Sequence, residues 1–197
     1  VIRLAGRFVT LEPLSLAHLD GLVAAAAESR ATYGLTHVPD TRAAMRAYIE
    51  AALASPAVPF ATVAADGRVV GSTRFGNLEH WSWPEGPRPD GSPDAVEIGW
   101  TWLAASAQRS AINSEAKLLM LGHAFEDWRV HRVTLKTDAR NQRSRAAIER
   151  LGARLDGVLR AHMPAADGGV RDSAVYSILA AEWPAARARL VARLDRG

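Results

Sequence analysis

The chain has 197 residues, 48% hydrophobic and 23% charged, with a formal net charge of +3; this is an ordinary globular composition with enough apolar material for a core. It contains no cysteine, which excludes disulfides, thiolate metal sites and a cysteinyl acyl-enzyme, and no apolar run approaches the ~20 residues of a membrane span. All cations are arginine except Lys117 and Lys136, and they are dispersed among acids, so nucleic acid fits poorly as a partner and an anionic small ligand fits better.

The opening VIRLAGRFVTLEPL is broken by charges before an apolar segment forms, so it does not read as a signal peptide. With the absence of cysteine this points to a cytoplasmic protein. A first strand is expected from Arg7 to Glu12, stopped by Pro13. Ser15 then caps a helix with Leu16, Leu19, Leu22 and Val23 at helical spacing. After the loop ATYGLTHVP, a second helix places Met45, Tyr48, Ile49 and Ala52 on one face.

The period then changes. PFATVAADGRVVGSTRFGNL is two strands around Asp66-Gly67, a strong hairpin signal. A Pro/Gly-rich loop, Glu79 to Asp94, leads to a fourth strand, AVEIGWTWL, rich in β-branched and aromatic residues. The turn QRSAINSEAK opens a helix with Leu118, Leu121, Phe125 and Trp128 on one side. RVTLKTD is a fifth strand. The next helix is capped by Asn141 and ended by Gly152. Two strands around Asp167-Gly168-Gly169 precede a closing helix with Pro184 near its first turn, whose apolar residues allow a homodimer. One domain over 1–197 with a mixed α/β (α+β) sheet accounts for this order. A Rossmann fold does not, because no G-x-G-x-x-G follows the first strand.

VEIGWTWL, QRSAINSEAK, LKTDARNQRSRAAIERLGA and GVLRAHMPAADGGVRDSAVYSIL, in that order, resemble the GNAT N-acyltransferases. Within them they are most similar to the Rim-type branch, which includes ribosomal-protein N-terminal acetyltransferases. The resemblance spans nearly the whole chain and is strongest from Glu97 to Trp183. It rests on N-x-x-S-x-x-x-x-x-x-L-G followed by R-D-x-x-x-Y-S. It implies a central, mostly antiparallel sheet, splayed between strands 4 and 5 and flanked by helices. It also implies acetyl-CoA as acyl donor, no metal, and direct transfer to a primary amine, either a protein N-terminal α-amine or a small-molecule amine. The same fold also serves aminosugars, polyamines, amino acids or larger acyl-CoA donors. A catalytically decayed CoA-binding or interaction module is the alternative of another class.

By the same resemblance the pantetheine arm lies along Ile98, Trp100, Trp102 and Leu103. The pyrophosphate lies on Gln108, Arg109, Ser110, Ala111, Ile112, Asn113 and Ser114. The family's loop reads Q/R-x-x-G-x-G/A, and both glycine positions are replaced here, by Ala111 and Asn113. Alanine keeps the backbone N–H, and asparagine tolerates the left-handed conformation. Read alone, the turn is a helix start capped by Asn113 or Ser114, with Glu115 complementing the dipole.

Glu97 is the candidate general base, or a strand-edge carboxylate paired with an arginine. Ser144 matches the family serine that donates to the leaving sulfur, or is a first-turn serine satisfying backbone. Asn141 is a cofactor contact, an N-cap, or both. The oxyanion donor is expected among backbone N–H groups from Ile98 to Trp100. Tyr33, Trp81 and Trp83 are candidates for an aromatic wall around the acceptor, or surface packing. Glu79, Glu85, Asp90 and Asp94 are candidates to attract a cationic amine. Tyr176 reads as a buried, satisfied tyrosine, and Arg160, Arg171 and Asp172 as structural pairs. The histidines show no metal spacing.

Overall fold

A computed structural model describes residues 1–195. Its strands are β1 (Leu4–Ala5), β2 (Val9–Pro13), β3 (Val58–Ala64), β4 (Val69–Glu79), β5 (Ala95–Leu103), β6 (Arg132–Asp138), β7 (Arg154–Pro164) and β8 (Val170–Leu179). Its helices are α1 (Leu19–Ala27), α2 (Arg42–Ala54), α3 (Ala111–Gly122), α4 (Gln142–Arg150) and α5 (Trp183–Leu194). The eight strands form one sheet in the order β1-β2-β3-β4-β5-β6-β8-β7. Every neighbouring pair is antiparallel except β5 and β6. The short β1 shifts the count by one, so the expected strands 4 and 5 are β5 and β6.

The two faces of the sheet carry separate apolar clusters. Phe75, Val96, Ile98 and Leu135 pack with Met120, Leu121 and Leu190 of α3 and α5. Leu22, Met45, Ile49 and Trp102 form the cluster of α1 and α2. This division follows from strand periodicity, since successive side chains point to opposite faces. On α5, Trp183, Ala186 and Leu190 are buried and serve the chain's own core. A π turn, His123–Asp127, follows α3 where one continuous helix is expected; it seats His123 against Phe75 and Trp128.

Glu115 does not complement the helix dipole from solvent. It is buried in α3 and accepts the backbone N–H groups of Arg7, Phe8 and Val9 at 2.8, 2.6 and 2.9 Å. One carboxylate thus anchors the start of β2 to α3. Because hydrogen bonds to a charged group contribute about 1.5–3 kcal/mol each, Glu115→Ala should destabilise the fold by at least about 3 kcal/mol. Urea unfolding measures this, and a change below about 1 kcal/mol would contradict the anchoring role.

Other polar expectations are redistributed. Tyr176 is fully buried, receives a hydrogen bond from Arg145 Nε at 2.9 Å and donates to Glu149 at 3.1 Å, as a satisfied tyrosine should. Among the described residues Arg160, Arg171 and Asp172, expected in structural pairs, form no ion pair. Arg171 bonds the Ser173 hydroxyl, and Asp172 accepts the Ala161 N–H. The ion cluster forms instead at Arg140, between Asp138 and Asp167, and the guanidinium holds both carboxyls below their ordinary range.

Candidate active site

β5 and β6 pair only over Ala95–Glu97 and Arg132–Thr134. Beyond Glu97, β5 continues to Leu103 with no strand partner on that side among the described residues, which leaves its backbone polar groups on that edge in need of other partners. This is the splay expected between strands 4 and 5.

On its other side β5 carries a bulge. Gly99 pairs with Arg74 and Trp102 with Ser72, so Trp100 and Thr101 together oppose Thr73. Trp100 adopts φ 51°, a left-handed conformation that is costly for an aromatic residue and needs support from its surroundings. Support comes from both faces. Lys117 of α3 donates to Thr101 Oγ1 at 2.7 Å and Thr73 Oγ1 at 3.1 Å. On the opposite face the Trp100 ring packs over Gly76, where a Cβ would lie 2.4 Å from it. Burial lowers the Lys117 amine to about 7.

Glu97 stands just before the splay and is 5% exposed. Its Oε2 is held by Asn77 Nδ2 at 2.7 Å and Lys136 Nζ at 2.9 Å, so its cationic partner is a lysine rather than the expected arginine. Its Oε1 lies over Gly99, 3.1 Å from where a Cβ would be. One oxygen is anchored and the other is presented on the face shared with Arg74 and Trp100.

The turn at the start of α3 differs from its sequence reading. Ser110 is the N-cap: its hydroxyl accepts from Ile112 N–H at 3.3 Å and donates to Ala107 O at 2.7 Å. Ala111 and Asn113 are therefore already helical. Asn113 is not the left-handed residue; Arg109 is, at φ 58°. Neither replaced glycine position is left-handed, because the chain turns at Arg109, ahead of both. The Gln108 side chain donates to Thr32 Oγ1 and Leu103 O, both at 2.9 Å, tying the α1–α2 loop to the end of β5. Arg143 of α4 reaches Gln108 Oε1 and Thr32 O across the splay, each at 3.3 Å.

Arg109, Ser110, Asn113 and Ser114 line a cavity of about 260 Å³ with Arg150 of α4 and Arg193 of α5. Three guanidinium groups face the N-terminus of α3, where free N–H groups and the helix dipole already favour an anion. The buried Asn113 Oδ1 has no hydrogen-bond partner among the described residues. Asn141 caps α4 by accepting the Ser144 N–H at 3.0 Å, and Ser144 is half-buried in the first turn of that helix.

The Acetyltransferase (GNAT) domain family matches residues 9–154. This chain belongs to the GNAT acetyltransferase family. It superposes on a T. thermophilus protein assigned as an acetyltransferase, with a TM-score of 0.82 and 38% identity over 98% of this chain and 97% of that one. It also superposes on a GCN5-related N-acetyltransferase from Brucella melitensis, with a TM-score of 0.85 and 28% identity over 98% and 85%. Mycobacterium smegmatis RimJ, in complex with CoA-disulfide, shares the fold at a TM-score of 0.77 and 24% identity over 94% and 88%. No curated protein sequence matches the chain significantly. The protein is an N-acyltransferase, and acetyl-CoA is the donor this family uses. Among the described residues no cluster of His, Cys, Asp or Glu could hold a metal, and no helix is long and apolar enough to cross a membrane.

The expected acceptor wall of the acetyltransferase is not assembled. Tyr33 is buried against Trp102, and its hydroxyl donates to Leu103 O at 2.8 Å. Trp81 and Trp83 lie at the opposite end of β5. There Trp81 stacks on His131, and Asp94 accepts Trp81 N–H at 2.7 Å and Trp83 Nε1 at 2.9 Å. Asp94 is thus an internal tether of that loop. Arg150, Arg193, Asn77, Lys136, Lys117 and Arg74 escaped the sequence reading. Their only signal was residue type: the two lone lysines, and an arginine inside a strand.

Proposed function

We propose that the protein transfers the acetyl group of acetyl-CoA to a primary amine, a peptide N-terminal α-amine or a small-molecule amine, with Glu97 as the base. The observation that carries this is the β5–β6 splay, which begins just after Glu97 on a strand that leads directly into the arginine-flanked N-terminus of α3. The pyrophosphate and 3′-phosphate of CoA suit the cavity's cations and helix N-terminus. The pantetheine amides suit the unpaired edge of β5 from Ile98 to Leu103.

In the reaction, the amine nitrogen attacks the thioester carbon and the C–S bond breaks. Glu97 Oε1 takes the proton from the nitrogen, directly or through a water. A backbone N–H at the bulge binds the oxyanion, and the Ser144 hydroxyl supports the departing thiolate. An α-amine, with a free pKa near 7.7–8.0, needs less help at neutral pH than a lysine ε-amine near 10.4.

Three measurements test this reading. Acetyl-CoA at about 100 times its Kd should stabilise the fold by about 2.7 kcal/mol; absence of any melting shift at millimolar acetyl-CoA would sink it. Release of CoA should then depend on added amine. Arg109→Ala and Arg193→Ala should each weaken acetyl-CoA binding by about tenfold or more, through loss of a charge-assisted contact. Titration calorimetry reads this directly, and unchanged affinity in both would remove the cavity from the donor site.

A further inference from the structure

Arg74 is in the middle of β4 and only 7% exposed. Its guanidinium lies over the rings of Tyr48 and Trp100, each centroid 5.1 Å away, and its Nε is buried with no hydrogen-bond partner among the described residues. The nearby carboxylate, Glu97, is paired with Lys136 instead. Aromatic faces attract a cation, but they leave the in-plane N–H groups of a guanidinium unsatisfied. A buried arginine without an anion is costly. No carboxylate of the described residues forms an ion pair with Arg74.

The surroundings of Arg74 set a cation and a carboxylate on one face of the sheet. Arg74 pairs with Gly99, and Gly76 pairs with Glu97. Two of these four positions therefore have no side chain, and the other two carry a cation and a carboxylate. Diagonal neighbours across such a ladder lie about 7–8 Å apart. The Trp100 ring covers Gly76 and Glu97 Oε1 covers Gly99. Trp100 is 43% exposed, so the patch opens to solvent along that ring. With Arg74 and Lys136 against Glu97 alone, it carries one cation more than it has anions to match.

We propose that Arg74 binds a carboxylate of the acceptor, so that the acceptor is a small amino acid whose amine and carboxylate are separated by one to three carbon atoms; this rests on the acetyl-transfer reading above. A planar fork flanked by aromatic rings presents its edge for two parallel hydrogen bonds to a carboxylate. The amine at the other end of such a molecule then falls beside Glu97 Oε1. Arg74 sets the position of the nucleophile, and Tyr48 and Trp100 set the position of Arg74. Tyr48 is itself fixed by its hydroxyl, 3.4 Å from Ser72 Oγ.

The test compares acid and amide forms of the same amine at saturating acetyl-CoA: glycine, β-alanine and γ-aminobutyrate against their carboxamides, with CoA release as the readout. The amides have less basic amines, so intrinsic reactivity at neutral pH favours them. At least one acid should nevertheless exceed its amide about tenfold or more in kcat/KM, the effect of one bidentate charge-assisted contact. In Arg74→Met that ratio should collapse toward one, and Arg74→Lys, which keeps the charge without the fork, should retain part of it. An acetyl-CoA melting shift confirms that each variant is folded. If Arg74→Met does not fold, the wild-type acid-to-amide ratio still decides. A wild-type ratio at or below one in all three pairs overturns the inference and leaves the transferase reading standing. No CoA release with any amine overturns both. A tripeptide pair differing as Asp against Asn at the first residue separates the sources of carboxylate: a preference confined to that pair would overturn the assignment of a free amino acid.

Discussion

Glu97→Gln is expected to lower kcat/KM for amine acceptors by about 10²–10⁴, the usual range for a positioned general base, with acetyl-CoA affinity nearly unchanged. The substitution is clean because of how Glu97 is held. Both partners, Asn77 and Lys136, engage Oε2. A glutamine can place its carbonyl oxygen there and keep both contacts, so Lys136 is not left without an acceptor. Its NH₂ then replaces Oε1, the atom over Gly99, and a proton acceptor becomes a donor at that one point. A fall in kcat with unchanged acetyl-CoA affinity is the signature of an interaction made in the transition state. Turnover equal to wild type would remove Glu97 from the chemistry, and a change confined to acetyl-CoA affinity would move it to the donor side.

The fold was legible because its signals are local. The β-branched and aromatic content of AVEIGWTWL, the Asp66-Gly67 turn and the Asn141 cap each depend on a few neighbouring residues, and all three appear as expected. The errors share a cause. Glu115, two turns before the end of α3, looks like a surface acid near a helix start, and only tertiary contact with Arg7–Val9 makes it a buried anchor. Asn113 invites a left-handed reading by residue type, but the N-cap at Ser110 had already closed the turn.

The site was legible only where one segment supplies it. Glu97 and Arg109 were named through the family resemblance, each from one contiguous segment, and their roles here are proposals. Arg150 and Arg193 join Arg109 only through the packing of α4 and α5 against α3, a relation that no spacing along the chain encodes. The bulge at Trp100–Thr101 was missed for the same reason: VEIGWTWL alternates well enough to hide one extra residue, and only the register against β4 exposes it. Tyr33, grouped with Trp81 and Trp83 by aromatic character, turned out to lie at the other end of β5, bound to Leu103.

Replacing Lys117 with Met should stabilise the fold while slowing the enzyme, and the gain should depend on pH. The amine titrates near 7 in the folded protein against an ordinary 10.5, because burial disfavours its charge. Between those values the unfolded chain holds a proton that the folded one lacks, so folding stability rises with pH through this window. The burial cost is complete below pH 7, at about 4–5 kcal/mol for a shift of this size, and disappears above the unfolded value. Methionine has no such cost, and the hydroxyls of Thr73 and Thr101 remain 2.8 Å apart and bonded to each other. The stability gain of the variant should therefore be largest at and below pH 7 and shrink by about 1.4 kcal/mol per pH unit toward pH 10. Changed packing adds a constant, so the slope of the difference, taken from urea unfolding at several pH values, isolates the ionisation; a flat difference would mean that Lys117 is not buried neutral. Turnover is expected to move the other way. Lys117 grips both sides of the bulge, and without it Trp100 can relax from its left-handed conformation and carry the β5 backbone out of position. A costly buried lysine held against the bulge is thus a case of stability yielded to active-site geometry, and a variant that gained stability with full activity at pH 9 would refute that link.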